Sequence, residues 1–147
     1  MKIIKSILLG LVVGVCAVFI YCCTFLWMLG SFDIYDLRIV FDATPDDLVF
    51  AVLNIVVQTL SSLPMAITAF IFMFIVKFKA DTLFLLMSNS VLFGMYCFIN
   101  YFVISSGAFD GDMVFGSLIT GLVPCGLLSL SLILPNKWRK KREINQH

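Results

Sequence analysis

The sequence has few charged side chains and almost no histidine. Charged residues make up 13% of its 147 residues, whereas soluble domains carry about a quarter. The single histidine is the last residue, His147, so no internal imidazole is present as a general base or to activate a nucleophile. Because 61% of the residues are hydrophobic and the mean hydropathy is +1.06, the chain is predicted to fold in lipid.

The five cysteines show neither a metal-site pattern nor a disulfide framework. None belongs to a C-x-x-C motif, none has a neighbouring histidine, and all lie within apolar runs. We therefore expect buried structural thiols, no metal and no cofactor. The alternative that the sequence leaves open is a redox pair between Cys97 and either Cys22 or Cys23.

Four apolar segments are each longer than the roughly 20 residues that cross a bilayer core as a helix. The predicted fold is all-α: a polytopic membrane protein whose single domain, residues 1–147, is an antiparallel bundle of four transmembrane helices. The helices are predicted at residues 3–30, 45–76, 82–106 and 113–134. They are joined by outer loops at 31–44 and 107–112 and an inner loop at 77–81, and a basic tail follows at 135–147.

Local signals mark several helix ends. Thr44–Asp47 combines a cap, a proline at the first helical position and two carboxylates near the positive end of the helix dipole. Asp81 and Asp112 are placed to cap the third and fourth helices, and Pro135 is expected to end the fourth. Because the inner loop is short, the second and third helices are predicted to be antiparallel neighbours.

The basic residues indicate the orientation. Nine of the ten Lys and Arg residues flank the predicted inner ends of the helices, and only Arg38 lies on the other side. The positive-inside rule then places both termini in the cytoplasm. The charge sorting and the small size favour a bacterial inner membrane as the location.

Small and polar residues recur at spacings of three and four along each helix. Membrane helices pack along such stripes. Large apolar side chains do not drive association, because lipid tails are as apolar as leucine. Pro64 and Pro124 lie within their helices and are expected to kink them, while Thr120 lies off its stripe. The stripes are Gly10, Gly14, Ala17, Tyr21, Thr24 and Met28; Asn54, Gln58, Ser61, Met65 and Thr68; Asn89, Phe93, Tyr96 and Asn100; and Ser117, Gly121, Pro124, Leu128 and Ser131.

Seven polar residues fall in the outer halves of the predicted helices. They either hydrogen-bond to one another between helices, or line a vestibule that binds a small molecule or a cation. The candidate ligand-binding residues are Tyr21, Thr24, Asn54, Gln58, Tyr96, Asn100 and Ser117.

A dense basic cluster follows the fourth helix, and it is expected to set the topology and to contact anionic lipid headgroups. The basic residues are Lys137, Arg139, Lys140, Lys141 and Arg142.

No ionisable residue lies deep in a predicted span, and the sequence shows no catalytic constellation. We therefore expect a non-catalytic protein that binds a membrane protein or an incoming protein, or forms a homo-oligomer, and that binds no nucleic acid. The alternative is a small oligomeric channel or carrier.

Overall fold

A computed structural model describes residues 2–31, 47–105 and 119–144, and in these ranges the structure is all-α, with no strand. Helix α1 is Lys2–Ser31, α2 is Asp47–Val76, α3 is Thr82–Ser105 and α4 is Leu122–Ile144. The predicted end of the second helix at 76 and the predicted start of the third at 82 agree with these bounds, while the other limits of the first three helices fall at the edges of the described ranges. Of the predicted outer loops, Ser31 belongs to α1, and residues 32–44 and 107–112 lie outside the described residues, as does the Thr44–Asp46 part of the cap signal.

Within the described ranges, the helix α1 segment Ile3–Met28 and the α2 segment Ile55–Val76 are long and apolar enough to cross a membrane. Of their most apolar stretches only 28% and 22%, respectively, is buried. Shorter apolar helical segments occupy Thr82–Phe98 and Leu122–Trp138. A membrane bundle is therefore plausible for this all-α chain.

The helices pack in the order α1, α3, α4, α2 around the bundle. Gly10 lies opposite Phe84 and Gly14 opposite Ser88, so α1 and α3 run parallel. Asn89 of α3 pairs with Ser129, whereas the later Tyr96 pairs with the earlier Thr120, so α3 and α4 run antiparallel. The most extensive packing joins α1 to α3 and α2 to α4.

The predicted pairing of α2 with α3 is wrong, because these two helices lie across the bundle from each other. Helices 8–10 Å apart have a diagonal of roughly 13 Å, which five extended residues of about 3.3 Å each can span. Lys77, with a φ of 53°, ends α2. The chain then crosses the bundle end, where the Phe78 ring packs on that of Phe84 with centroids 5.2 Å apart.

Polar side chains are buried beside the apolar core, and many large apolar side chains lie on the surface. Large apolar side chains such as Phe19, Trp27 and Ile75 are about 70% exposed. The Ser62 and Ser88 hydroxyls each donate to the carbonyl four residues earlier in their own helix, so their burial leaves no unpaired donor. The buried polar residues of the described chain are Ser6, Gln58, Ser61, Ser62, Ser88, Thr120 and Ser131.

Two prolines behave differently from one another. A helical turn at Ile119–Thr120 breaks at Gly121 before α4 begins, as expected for Pro124, which has no N–H to bond to the Thr120 carbonyl. Pro135 was predicted to end the fourth helix, and this is wrong: it is buried inside α4, which continues to Ile144. The Lys and Arg residues beyond it are good helix formers, and their charge suits a helix C-terminus.

Candidate functional site

Four buried side chains form a hydrogen-bonded chain that links α1, α2, α3 and the helical turn before α4. Tyr21 of α1 donates its hydroxyl proton to Oε1 of Gln58 in α2. Gln58 Nε2 donates in turn to Oη of Tyr96 in α3, at 3.3 Å. Tyr96 Oη lies 3.1 Å from Oγ1 of Thr120, just before α4. We name this set the tyrosine–glutamine network.

The helix registers explain why these residues meet. The α1 stripe predicted from the sequence faces inward, with Gly10, Gly14, Ala17 and Tyr21 all buried. Tyr21 comes after three small residues on this stripe. Because those residues let α1 lie close to its neighbours, the Tyr21 phenol can reach α2. Since buried hydroxyl and amide groups are costly without partners, the network also determines how the four helices are aligned.

Three of the seven predicted vestibule residues, Tyr21, Gln58 and Tyr96, are brought together. Thr24 is not among them: its hydroxyl donates to the Ile20 carbonyl of its own helix at 2.8 Å. The side chains of Asn54 and Asn100, and all of Ser117, lie outside the described residues.

Thr120 completes the network, although the sequence pattern placed it off the stripe. It is 7% exposed. The stripe assumed an unbroken helix through this region, whereas the break at Gly121 changes the rotation of the preceding turn. The sequence signal that could have identified Thr120 is its position in an apolar run, four residues before Pro124.

A small depression adjoins the network between α1 and α3. Its volume is about 10 Å³, close to the space that one water molecule needs. Known small-molecule pockets are of the order of 300–1,000 Å³. Among the described residues, the depression beside the network is therefore far smaller than such a pocket. The depression is lined by Val18, Tyr21, Cys22, Leu92, Met95 and Tyr96.

A second polar contact links α3 to α4. Asn89 Nδ2 donates both to Ser129 Oγ at 2.8 Å and to the Leu85 carbonyl at 2.9 Å. Its Oδ1 is buried and has no hydrogen-bond partner among the residues that the structure describes. Because Asn89 was predicted to share the central stripe with Tyr96, its position between α3 and α4 is a correction. The inward row of α3 is Phe84, Ser88, Leu92 and Tyr96.

The opposite end of the bundle, which we name the basal end, contains Ser6, Asp81 and Trp138. Asp81 Oδ1 accepts from the Phe84 backbone N–H at 2.9 Å and so caps α3, as predicted. Its Oδ2 accepts from Ser6 Oγ of α1 at 2.6 Å. One carboxylate therefore both starts α3 and holds it to α1.

The predicted basic cluster begins within α4 rather than in a separate tail. Lys137 and Lys141 are exposed, and Trp138 between them packs edge-on against Phe70 of α2. Arg139 and Lys140 are also in α4, as is Arg142, but their side chains lie outside the described set.

Where the structure is described, no group of three or more His, Cys, Asp or Glu side chains is placed to hold a metal ion. All five cysteines are free thiols. Comparison with protein-family models, with curated proteins and with solved structures finds no match for this chain. Its function must therefore be argued from the residues themselves.

Proposed function

We propose that the chain is an integral protein of the cell inner membrane with four transmembrane helices and both termini in the cytoplasm. Support comes from the surface of α1 and α2, where most exposed side chains are large and apolar, while the interior holds serine and glutamine side chains beside its apolar core. That arrangement suits a lipid solvent and would be unfavourable in water. A soluble core helix would be mostly buried, whereas these two segments are mostly exposed.

Within that membrane we propose a non-catalytic role: binding a membrane protein or an incoming protein, as accessory, immunity or exclusion proteins do. The observation that carries this proposal is the tyrosine–glutamine network. Its polar groups are engaged with one another, and the adjoining depression accommodates about one water. The small space beside the described part of the network favours action through the outer surface.

Two exposed glycines make that surface suitable for close contact with another helix. A methyl group built at Gly94 of α3 or at Gly126 of α4 meets no atom within 4 Å. Small residues on a lipid-facing surface let the backbone of a second membrane helix approach. Because Asn89 pairs with Ser129, these glycines lie at similar depths on adjacent helices.

The membrane part of the proposal is tested by reporters that are active in one compartment only. A fusion at residue 40 is expected to report the outer side, and fusions at residue 79 and at the carboxyl end the cytoplasm. Recovery of the protein in the soluble fraction, or the same compartment for residue 40 and the carboxyl end, would refute it.

The binding part is tested by purification in mild detergent with a site-specific photocrosslinker at residue 90, which is exposed one helical turn before Gly94. A discrete heteromeric or homomeric adduct that Gly94→Leu and Gly126→Leu abolish is expected. Leu86→Phe is the matched control, because Leu86 is exposed on the same helix and also gains bulk. Substrate-dependent flux through purified protein in proteoliposomes, without any adduct, would instead favour the channel or carrier.

A further inference from the structure

Aromatic side chains form a continuous row at the basal corner between α2 and α4. The Phe70 and Phe74 rings of α2 stack with centroids 6.4 Å apart, and Trp138 of α4 meets Phe70 edge-on at 5.9 Å and 82°. Phe74 is 44% exposed and Trp138 55% exposed. The row therefore faces outward and covers the seam between the two helices.

Beyond this contact the two helices continue side by side. Helix α2 runs six residues past Phe70 to Val76, and α4 runs six residues past Trp138 to Ile144. Six helical residues are about 9 Å, similar to the depth of a headgroup layer. Over this length α2 offers exposed apolar side chains, including Ile71 and Ile75, and α4 offers the exposed Lys141, while the exposed Lys137 directly precedes Trp138.

The lysines lie next to the aromatic row. Lys137 and Lys141 are four residues apart and share one face of α4, and Lys141 is three residues from Trp138, so these side chains are neighbours on the helix. Asp81, a carboxylate of the same end, precedes α3, a neighbour of α4, and bonds to Ser6 and the Phe84 N–H. An apolar surface thus adjoins a cationic one.

We propose that this corner binds an anionic phospholipid of the inner leaflet, with an acyl chain along Phe70 and Trp138 and the headgroup phosphate between Lys137 and Lys141. A phospholipid matches both surfaces. Its acyl chain contacts the aromatic rings, and its phosphate pairs with the ammonium groups of the two lysines. This inference rests on the proposed membrane insertion with the basal end in the cytoplasm.

Trp138 itself provides the probe. Replacing the only other tryptophan, Trp27, with phenylalanine leaves Trp138 as the single fluorophore. The variant is reconstituted in vesicles that contain either brominated phosphatidylglycerol or brominated phosphatidylcholine, and fluorescence quenching gives the relative binding constant of each lipid at this corner. Phosphatidylglycerol is expected to bind at least about fivefold more strongly, the factor that corresponds to one basic residue near the surface.

Lys137→Gln with Lys141→Gln is expected to reduce this preference to that of bulk lipid. Lys2→Gln with Lys5→Gln is the matched control, since it removes two charges from α1, across the bundle from α4. The preference should persist in that control, with the orientation of each variant verified by the carboxyl-terminal reporter.

Equal quenching by the two lipids, or an equal loss in the control pair, would overturn the lipid site while leaving membrane insertion intact. Absence of quenching by either lipid would overturn both, because Trp138 would then lie outside the bilayer.

Discussion

Tyr21 of α1 donates its hydroxyl proton to Gln58 of α2, and these side chains are 5% and 6% exposed. The same glutamine continues to Tyr96, so a single amide uses its acceptor toward one helix and its donor toward another. An apolar residue at position 58 would leave two phenols without this partner. The relative alignment of α1, α2 and α3 therefore depends on Gln58.

Gln58→Leu is expected to lower the free energy of unfolding by roughly 1–3 kcal/mol. Interhelical hydrogen bonds in membrane proteins contribute about 0.6 kcal/mol each on average, and orphaned buried groups add a cost. Reversible unfolding by an increasing fraction of denaturing detergent measures the change. Binding of the partner should persist at temperatures where the variant remains folded.

Thr59→Ala is the control for that substitution, since the neighbouring Thr59 hydroxyl bonds to the Ile55 carbonyl of its own helix and makes an exposed contact. It should change stability by less than about 0.5 kcal/mol. If Gln58→Leu kept full stability yet lost activity, the network would be a ligand site rather than a structural link.

The inward stripes of α1 and α4 could be predicted because small residues mark them. Gly10, Gly14 and Ala17 allow close approach, and lipid-facing positions carry large apolar groups instead. In α2 the same reasoning included Thr68, which is exposed and bonds to the Pro64 carbonyl. A threonine that satisfies its own hydroxyl within its helix can face lipid, so residue type alone did not settle its position.

The helix order in the bundle could not be predicted from connection length. Residues 77–81 are few, yet they are long enough to cross a bundle diagonal. The deciding contacts are between residues distant in sequence, such as Gly14 with Ser88. The continuation of α4 past Pro135 was missed for a related reason: burial of the proline ring and the helix formers beyond it outweigh one lost backbone bond.

Gly14→Ala, and more severely Gly14→Leu, is expected to destabilise the bundle. A Cβ at Gly14 would lie 2.9 Å from Val91 Cβ and 3.0 Å from the Ser88 carbonyl oxygen, so α1 and α3 would have to move apart. Overpacking of this kind costs about 1–3 kcal/mol. The same detergent titration measures it.

Gly94→Ala is the matched control, because the added methyl group meets open space. It should be neutral or slightly stabilising, since alanine is the better helix former by about 0.5–1 kcal/mol. Equal losses for Gly14→Ala and Gly94→Ala would contradict the close α1–α3 contact.

The Ser6–Asp81 contact is expected to couple the starts of α1 and α3. Asp81→Ala removes both the α3 cap and the acceptor for Ser6, and should cost about 1–3 kcal/mol, of which a lost cap accounts for 0.5–2. Ser6→Ala removes the interhelical bond alone and should cost less.

A double-mutant cycle separates the two effects of Asp81. If Ser6 bonds to the carboxylate as described, Ser6→Ala should add little in the Asp81→Ala background, giving a coupling energy of about 0.5–2 kcal/mol. Strict additivity of the two substitutions would show that the 2.6 Å contact contributes nothing to stability and that Asp81 acts only as a cap. Asp81→Asn should retain most of the capping, because asparagine caps helices about as well as aspartate.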